Sequence, residues 1–163
     1  MKAKTKKPPG DYKARYQSDL LTFVRDQMKV YGDKTNLDRA VPDLHDGLKP
    51  VTRRLVWTLR TVAKDQPQKS ARVIGACMGI YHPHGDASIQ EALTNMVNSE
   101  TPLVEGVGSW GDLVERAGAP RYTNCVLSKF GDTFISKDYL AVTTMVDNYD
   151  RQDRSEERRV GKE

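Results

Sequence analysis

The sequence is poor in the residues that staple or clip small proteins together. Of its 163 residues only two are cysteine, Cys77 and Cys125. They make neither a disulfide framework nor a metal-ligand spacing, and reduced, buried thiols in a cytosolic protein are the expectation. No run of about 18 apolar residues occurs, so no segment is read as spanning a membrane. The opening "MKAKTKKPPGDYK" is basic but lacks the apolar centre of a secretory signal. Aspartates and glutamates are scattered, and no acidic cluster is placed to hold a divalent metal. No internal repeat is apparent.

What is present is charge of one sign, gathered in places. The net charge is +4, with 29% charged and 37% hydrophobic residues, which fits one polar globular domain with a core of its own. Lys2, Lys4, Lys6 and Lys7 stand in a tail without acids. Lys49, Arg53, Arg54 and Arg60 are close in sequence, as are Lys64, Lys69 and Arg72. Such clusters suit a polyanion such as DNA. They equally suit solvated helix faces.

Periodicity lays out the elements. Residues 1–10 read as a disordered basic tail ending in Pro8-Pro9-Gly10. Tyr16, Leu20, Phe23, Val24 and Met28 recur at helical spacing between about Asp11 and Val30. "VPDLHDGLKP" is a loop, and Pro50 suits the first turn of a helix that runs to Val62 with Val51, Leu55, Val56 and Leu59 inward. "AKDQPQ" is a linker. Ser70 to Ile80 is a second helix. The tight "YHPHG" joins it to a third, with Asp86 as N-cap and Ile89, Leu93, Met96 and Val97 as its stripe. Two helices across a short turn form a helix-turn-helix unit. From residue 101 the chain turns glycine-rich with short apolar runs, which predicts wing hairpins and loops rather than long helices.

Four stretches hold the chemistry: "DRAVPDLHDGLKPVTRRL", "KSARVIG", "YHPHGDAS" and "GAPRYTN". His82 and His84 flank a stiffening Pro83 just before a helix N-terminus, where free N–H groups favour an anion. They suit phosphate contact, metal binding or simple capping of the turn. Lys49 precedes a helix, an unfavourable place for a cation unless an anion comes near. Arg121 beside Tyr122 suits nucleophilic attack on a phosphodiester. A phenol is a weak nucleophile until its proton is removed, and a guanidinium can grip two phosphate oxygens at once. A divalent metal normally completes such a site, and no residues here stand ready to hold one. The same Tyr122 could instead pack as an ordinary aromatic in a non-catalytic winged-helix DNA-binding protein. A His-x-His pair with a tyrosine also occurs in rolling-circle nucleases, but there the pair lies on a strand and not in a turn.

Taken together and in order, these stretches resemble the breakage-reunion region of type IIA DNA topoisomerases, the family of the gyrase and topoisomerase IV A subunits and related phage subunits. The similarity runs from about Asp38 to Asp150. "PDLHDGLKPVTRRL" resembles the family's P-D-x-R-D-G-L-K-P-x-x-R-R, "KSARVIG…YHPHGDAS" its K-S-A-R-x-x-G…Y-H-P-H-G-D, "EGVGSWG" its G-x-G-N-F-G loop, and "PRYT" its R-Y-T. The resemblance implies an α+β, mainly helical fold: a winged-helix (CAP-like) helix-turn-helix domain with a small β wing. It implies that Tyr122 attacks a backbone phosphate to give a 5′-phosphotyrosine and that Arg121 stabilises the transition state. Lys49, His82, His84 and Arg39 match positions that contact DNA, and Arg53 is a further DNA contact on the same ground. Mg2+ and ATP are then bound by a TOPRIM/ATPase (B-type) subunit or by missing domains. The partners are double-stranded DNA, a second copy of the full-length chain and that B-type subunit, with no membrane.

The expected organisation is a basic tail and arm helix at 1–35, the breakage-reunion domain at 36–150 ending before the tower, and a truncated end at 151–163. Within it "RSEERRVGKE" lacks periodicity and matches the in-frame translation of a sequencing adapter, so it is left out of the fold. Departures from the family pattern are His45 for its usual Arg, Thr52 for a common His, Ser109-Trp110 for Asn-Phe, and Ala87 for a common Ser. Pro120 before Arg-Tyr and the altered N-terminal arm look more like phage-type subunits than bacterial gyrase.

Overall fold

The computed structural model describes residues 20–63, 65–112, 114–142, 145–147 and 154–156. The expected basic tail, the first half of the arm helix and residues 157–163 lie outside the described residues. The chain forms two compact units, Met1–Val41 and Pro42–Glu163.

In the first unit, helix α1 (Leu20–Thr35) runs into a wider π turn, Asn36–Ala40. The Val41 N–H closes that turn on the Asn36 carbonyl at 2.9 Å. α1 buries none of its residues.

The second unit starts from α2 (Pro50–Val62). Pro50 sits in the first turn, where a missing N–H costs nothing, and Lys49 is the N-cap. The sequence places both ends of this helix where they are found. Its inward face, Leu55, Val56 and Leu59, is wholly buried. Gln68–Lys69 form a short strand, β1, so the expected linker gives up its last residue to the sheet.

α3 is Ser70–Ala76, and Cys77–Tyr81 widen into a π turn where a continuous α-helix to Ile80 was expected. The wide turn ends with the His82 N–H on the Cys77 carbonyl, 2.8 Å away and five residues back. Such turns often mark functional positions because they re-aim the next side chain. α4 spans Asp86–Val97. Its N-cap is Gly85, one residue before the one expected, and Asp86 opens the helix with Oδ1 accepting the Ala87 N–H at 2.9 Å. Ile89, Leu93 and Met96 pack inward against Val73, Ile74 and Cys77.

Strands β2 (Val104–Val107) and β3 (Asn124–Leu127) pair antiparallel, with Val104 opposite Leu127 and Val107 opposite Asn124. β1 pairs with the other edge of β3, giving the order β1-β3-β2. The loop between β2 and β3 turns at Gly108 and Gly111, with φ of 104° and 80° that other residues rarely adopt. Short helices α5 (Lys129–Thr133) and α6 (Lys137–Val142) follow, then a hairpin of β4 (Met145–Asp147) with β5 (Arg154–Glu156). β5 lies at the start of the stretch expected to fall outside the fold. Gly131 must be glycine, because a Cβ there would run into the Leu103 carbonyl. The described residues are therefore mainly helical with a small three-stranded antiparallel sheet. None of their helices is long and apolar enough to cross a membrane.

Candidate functional site

Arg121 and Tyr122 sit in the turn that leads from the loop into β3. Tyr122 is 67% exposed. The Arg121 guanidinium carbon lies 4.7 Å from the centre of the Tyr122 ring, a cation–π contact that holds the charge beside the phenol.

The turn is pinned from below. A helix begins with N–H groups that have no partner within it, and Lys69, the N-cap of α3, gives them no side-chain acceptor. Carbonyls on either side of the Arg121-Tyr122 pair take that role. The Ser70 N–H donates to the Thr123 carbonyl at 3.0 Å and the Ala71 N–H to the Pro120 carbonyl at 3.1 Å. The Thr123 hydroxyl donates to Ser70 Oγ at 2.8 Å, with both residues buried. The Tyr122 N–H closes the turn on the Ala119 carbonyl at 2.9 Å. Ser70 and Thr123 escaped the sequence reading, because nothing local links positions 53 residues apart. Ser70→Ala strands the Thr123 hydroxyl and should cost about 1–2 kcal/mol in chemical denaturation; a change within error would show that another group takes up that bond.

His82 follows the π turn at the other end of α3. It is 7% exposed, and Arg54 Nη1 lies 2.8 Å from its Nδ1. Arginine has only protons to give, so in this bond Nδ1 is the acceptor. His84 is exposed and meets His82 edge to face, with ring centres 4.5 Å apart. The Arg121-Tyr122 turn is bonded to the start of the Ser70–Tyr81 stretch, and His82 follows its end. One chain thus presents the tyrosine and the imidazoles at separate places. Lys49 is exposed at the start of α2. Arg39 is exposed in the π turn of the first unit and is described on that unit alone.

The family of DNA gyrase/topoisomerase IV A subunits has a sequence profile that matches residues 39–157, well over half of the chain. The chain belongs to that gyrase/topoisomerase IV family. It is 34% identical over 148 residues to a DNA gyrase A subunit of Spiroplasma citri, a match covering 86% of this chain and 65% of that one. It is 36% identical over 145 residues to a DNA gyrase A subunit of Staphylococcus epidermidis, covering 85% and 16%. For that of Thermotoga maritima the identity is 36% over 128 residues, covering 74% and 16%. The chain spans less than two thirds of the length of each of these gyrase subunits.

Against the family motifs, Arg53 is placed differently from the expectation of a DNA contact. It is 3% exposed, and its Nη2 donates to both carboxylate oxygens of Asp46, at 2.6 Å to Oδ1. Its neighbour Arg54 is the one that reaches a candidate phosphate ligand, His82. Arg53 and not Arg54 is the DNA contact expected from the sequence; neighbours in a basic patch give no sign of which one turns inward, since adjacent helical residues point about 100° from each other. Asp43 lies 3.8 Å from Arg53 and accepts the His45 N–H at 2.8 Å. Burial pushes the Asp43 carboxyl up, but the His45 backbone N–H, the His45 ring and the Arg53 charge together hold it below its ordinary 3.8. A depressed carboxylate stabilises the fold fully above its unfolded value and loses that contribution as pH falls through the folded one. Melting temperature measured from about pH 6 down to about pH 2 should therefore fall less steeply below 3.8 for Asp43→Asn than for the parent. Parallel acid limbs would remove Asp43 from the account.

The loop that resembles G-x-G-N-F-G carries Trp110, buried to 7% exposure. Asn98 Nδ2 donates to the Trp110 carbonyl at 2.9 Å, and a Cβ at Gly106 would collide with the indole. The larger ring in this gyrase-family loop is thus seated against a glycine and tied to the end of α4. Beyond it the Asp112 carboxylate accepts the Val114 and Glu115 N–H groups, each at 2.7 Å. Cys77 and Cys125 are both buried and free, and burial pushes each thiol up to about 11, which keeps them protonated and inert. Among the described residues no group of three or more His, Cys, Asp or Glu side chains could hold a metal ion.

Proposed function

We propose that this chain is the DNA-cleaving and religating part of an ATP-dependent type IIA topoisomerase, with Tyr122 as the nucleophile. The observation that carries the reading is an exposed tyrosine under a guanidinium, on a turn bolted to the N-terminus of α3, in a chain of the gyrase/topoisomerase IV family. The order helix, strand, helix, helix, strand, long loop, strand supports a winged helix, with α3 and α4 as its helix-turn-helix and the 108–123 loop as its wing. α4 would then face the DNA, with His82, His84 and Lys49 gripping phosphates, and Arg39, on the first unit, is read as a DNA contact of its own.

In the reaction, the phenol oxygen of Tyr122 bonds to a backbone phosphorus as the P–O3′ bond breaks. The phenol gives up its proton, and the leaving 3′ oxygen takes one. One phosphodiester replaces another, so the reverse attack reseals the strand without an external energy source. Arg121 offsets the charge that builds on the phosphate oxygens. The described residues offer no group of three or more His, Cys, Asp or Glu that could hold a metal ion. Mg2+ and ATP would be bound by a TOPRIM/ATPase (B-type) partner. A homodimer on cytoplasmic double-stranded DNA belongs to the same reading, supported by the chain's place in the gyrase/topoisomerase IV family.

The test is a suicide-substrate assay with that partner and Mg2+. Wild-type chain should become covalently linked to DNA through Tyr122. Duplex binding with no Tyr122-linked product favours the second reading, a winged-helix DNA-binding protein in which Arg121 simply packs on Tyr122.

A further inference from the structure

Asp46 sits at the centre of a hydrogen-bond cluster that reaches from the loop before α2 to a residue far along the chain. Its Oδ1 accepts the Leu48 N–H at 2.9 Å and Arg53 Nη2 at 2.6 Å. Its Oδ2 accepts the Tyr139 hydroxyl at 2.8 Å, from 93 residues further along the chain. The Asp46 side chain is 3% exposed. Tyr139 lies on α6, a six-residue helix with no buried residue, and packs edge to face on Phe134 at 6.2 Å between ring centres. The phenol hydroxyl therefore joins the segment after β3 to the loop before α2.

That loop is closed on itself. The Asp43 N–H donates to the Leu48 carbonyl at 3.0 Å, and the Gly47 N–H to the Asp43 carbonyl at 2.9 Å. Gly47, at φ 69°, allows the reversal. The first residue to leave the closed loop is Lys49, which projects into solvent at the head of α2. Asp46, three residues before it, is thus held from two sides, by Arg53 one turn into α2 and by Tyr139 from α6.

From this geometry we infer that Tyr139 is a positioning residue for Lys49: through Asp46 it sets where the lysine meets the DNA backbone, and it couples that contact to the chain beyond β3. The inference rests on the reading of Lys49 as a phosphate contact. A lysine on a phosphate is sensitive to placement, because its charge acts at short range once salt screens it.

A double-mutant cycle on duplex affinity tests it, using the full 163-residue chain and a short fluorescent duplex at fixed salt. Tyr139→Phe keeps the ring and removes only the hydroxyl. It should weaken binding about threefold and make the salt dependence shallower. Lys49→Ala should weaken binding more and lower the salt slope by about one. The double variant should bind no worse than Lys49→Ala alone. A purely structural role for Tyr139 would lower the melting temperature but leave the salt slope unmoved, so melting is measured on all four proteins. Equal losses from Tyr139→Phe in both backgrounds, or no loss in either, overturn the inference alone. An unchanged affinity and slope for Lys49→Ala overturn it together with the Lys49 contact. The covalent-adduct assay, which depends on Tyr122, judges the cleavage reading separately.

Discussion

Tyr122→Phe will yield no covalent DNA adduct while folding and binding duplex as the parent does. The change removes one oxygen and nothing else. At 67% exposure the ring leaves no buried polar group stranded, so stability should move by less than about 0.5 kcal/mol. Arg121 can still stack on a phenyl face, since the ring quadrupole and not the hydroxyl attracts the guanidinium. The turn is closed by backbone atoms of Ala119, Pro120, Tyr122 and Thr123, none of which the substitution touches. The nucleophile itself is gone, and no neighbouring hydroxyl is offered in its place: Thr123, the next residue, is buried and committed to Ser70. Adduct yield should therefore fall at least about a thousandfold, on the scale of losing a nucleophile outright. Trapped adduct on a denaturing gel reads the yield, and anisotropy at matched salt reads the binding. Adduct from the Phe variant at more than a few per cent of wild type would move the nucleophile to another residue. Lost binding would make Tyr122 part of the DNA-gripping surface instead.

The sequence shows the parts of this fold that depend on near neighbours. Pro50 starts α2, and the Ile89, Leu93, Met96 stripe of α4 repeats at helical spacing, because burial of one face imposes that period. The Arg121-Tyr122 pair and the His82-Pro83-His84 turn are visible as residue types in order. What long-range contacts decide is not visible. The π turn at Cys77–Tyr81 has no local signature that a continuing helix would lack, yet it sets the direction of His82. Arg53 and Arg54 look alike as neighbours in a basic patch. Only the folded chain shows that one faces Asp46 inside and the other faces His82. Ser70 and Thr123, or Asp46 and Tyr139, are far apart in the chain, and a hydrogen bond between distant residues leaves no periodicity to read.

Asp46→Ala will be among the most damaging single substitutions in the second unit. The carboxylate is buried with Arg53, whose side chain is 4% exposed. Removing it takes a carboxylate at hydrogen-bond distance away from a guanidinium held out of water, with Asp43 further off at 3.8 Å, and the Tyr139 hydroxyl and the Leu48 N–H lose this acceptor. Breaking one side of a buried ion pair typically costs about 3–5 kcal/mol, against roughly 0–1 kcal/mol for a pair at the surface. A melting temperature lower by about 10 °C is the matching expectation for a domain of this size. The size of the loss comes from burying a charge whose short carboxylate pairing is gone rather than from the lost attraction alone. Replacing both partners, Asp46→Leu with Arg53→Met, should consequently cost less than Asp46→Ala alone, although one more residue is changed. Asp43 keeps the His45 N–H as a partner in that double variant. Denaturant unfolding of the three proteins checks the order. A single-variant loss below about 1 kcal/mol would mean that Arg53 reaches water, and its assignment as a DNA contact would then be the better one.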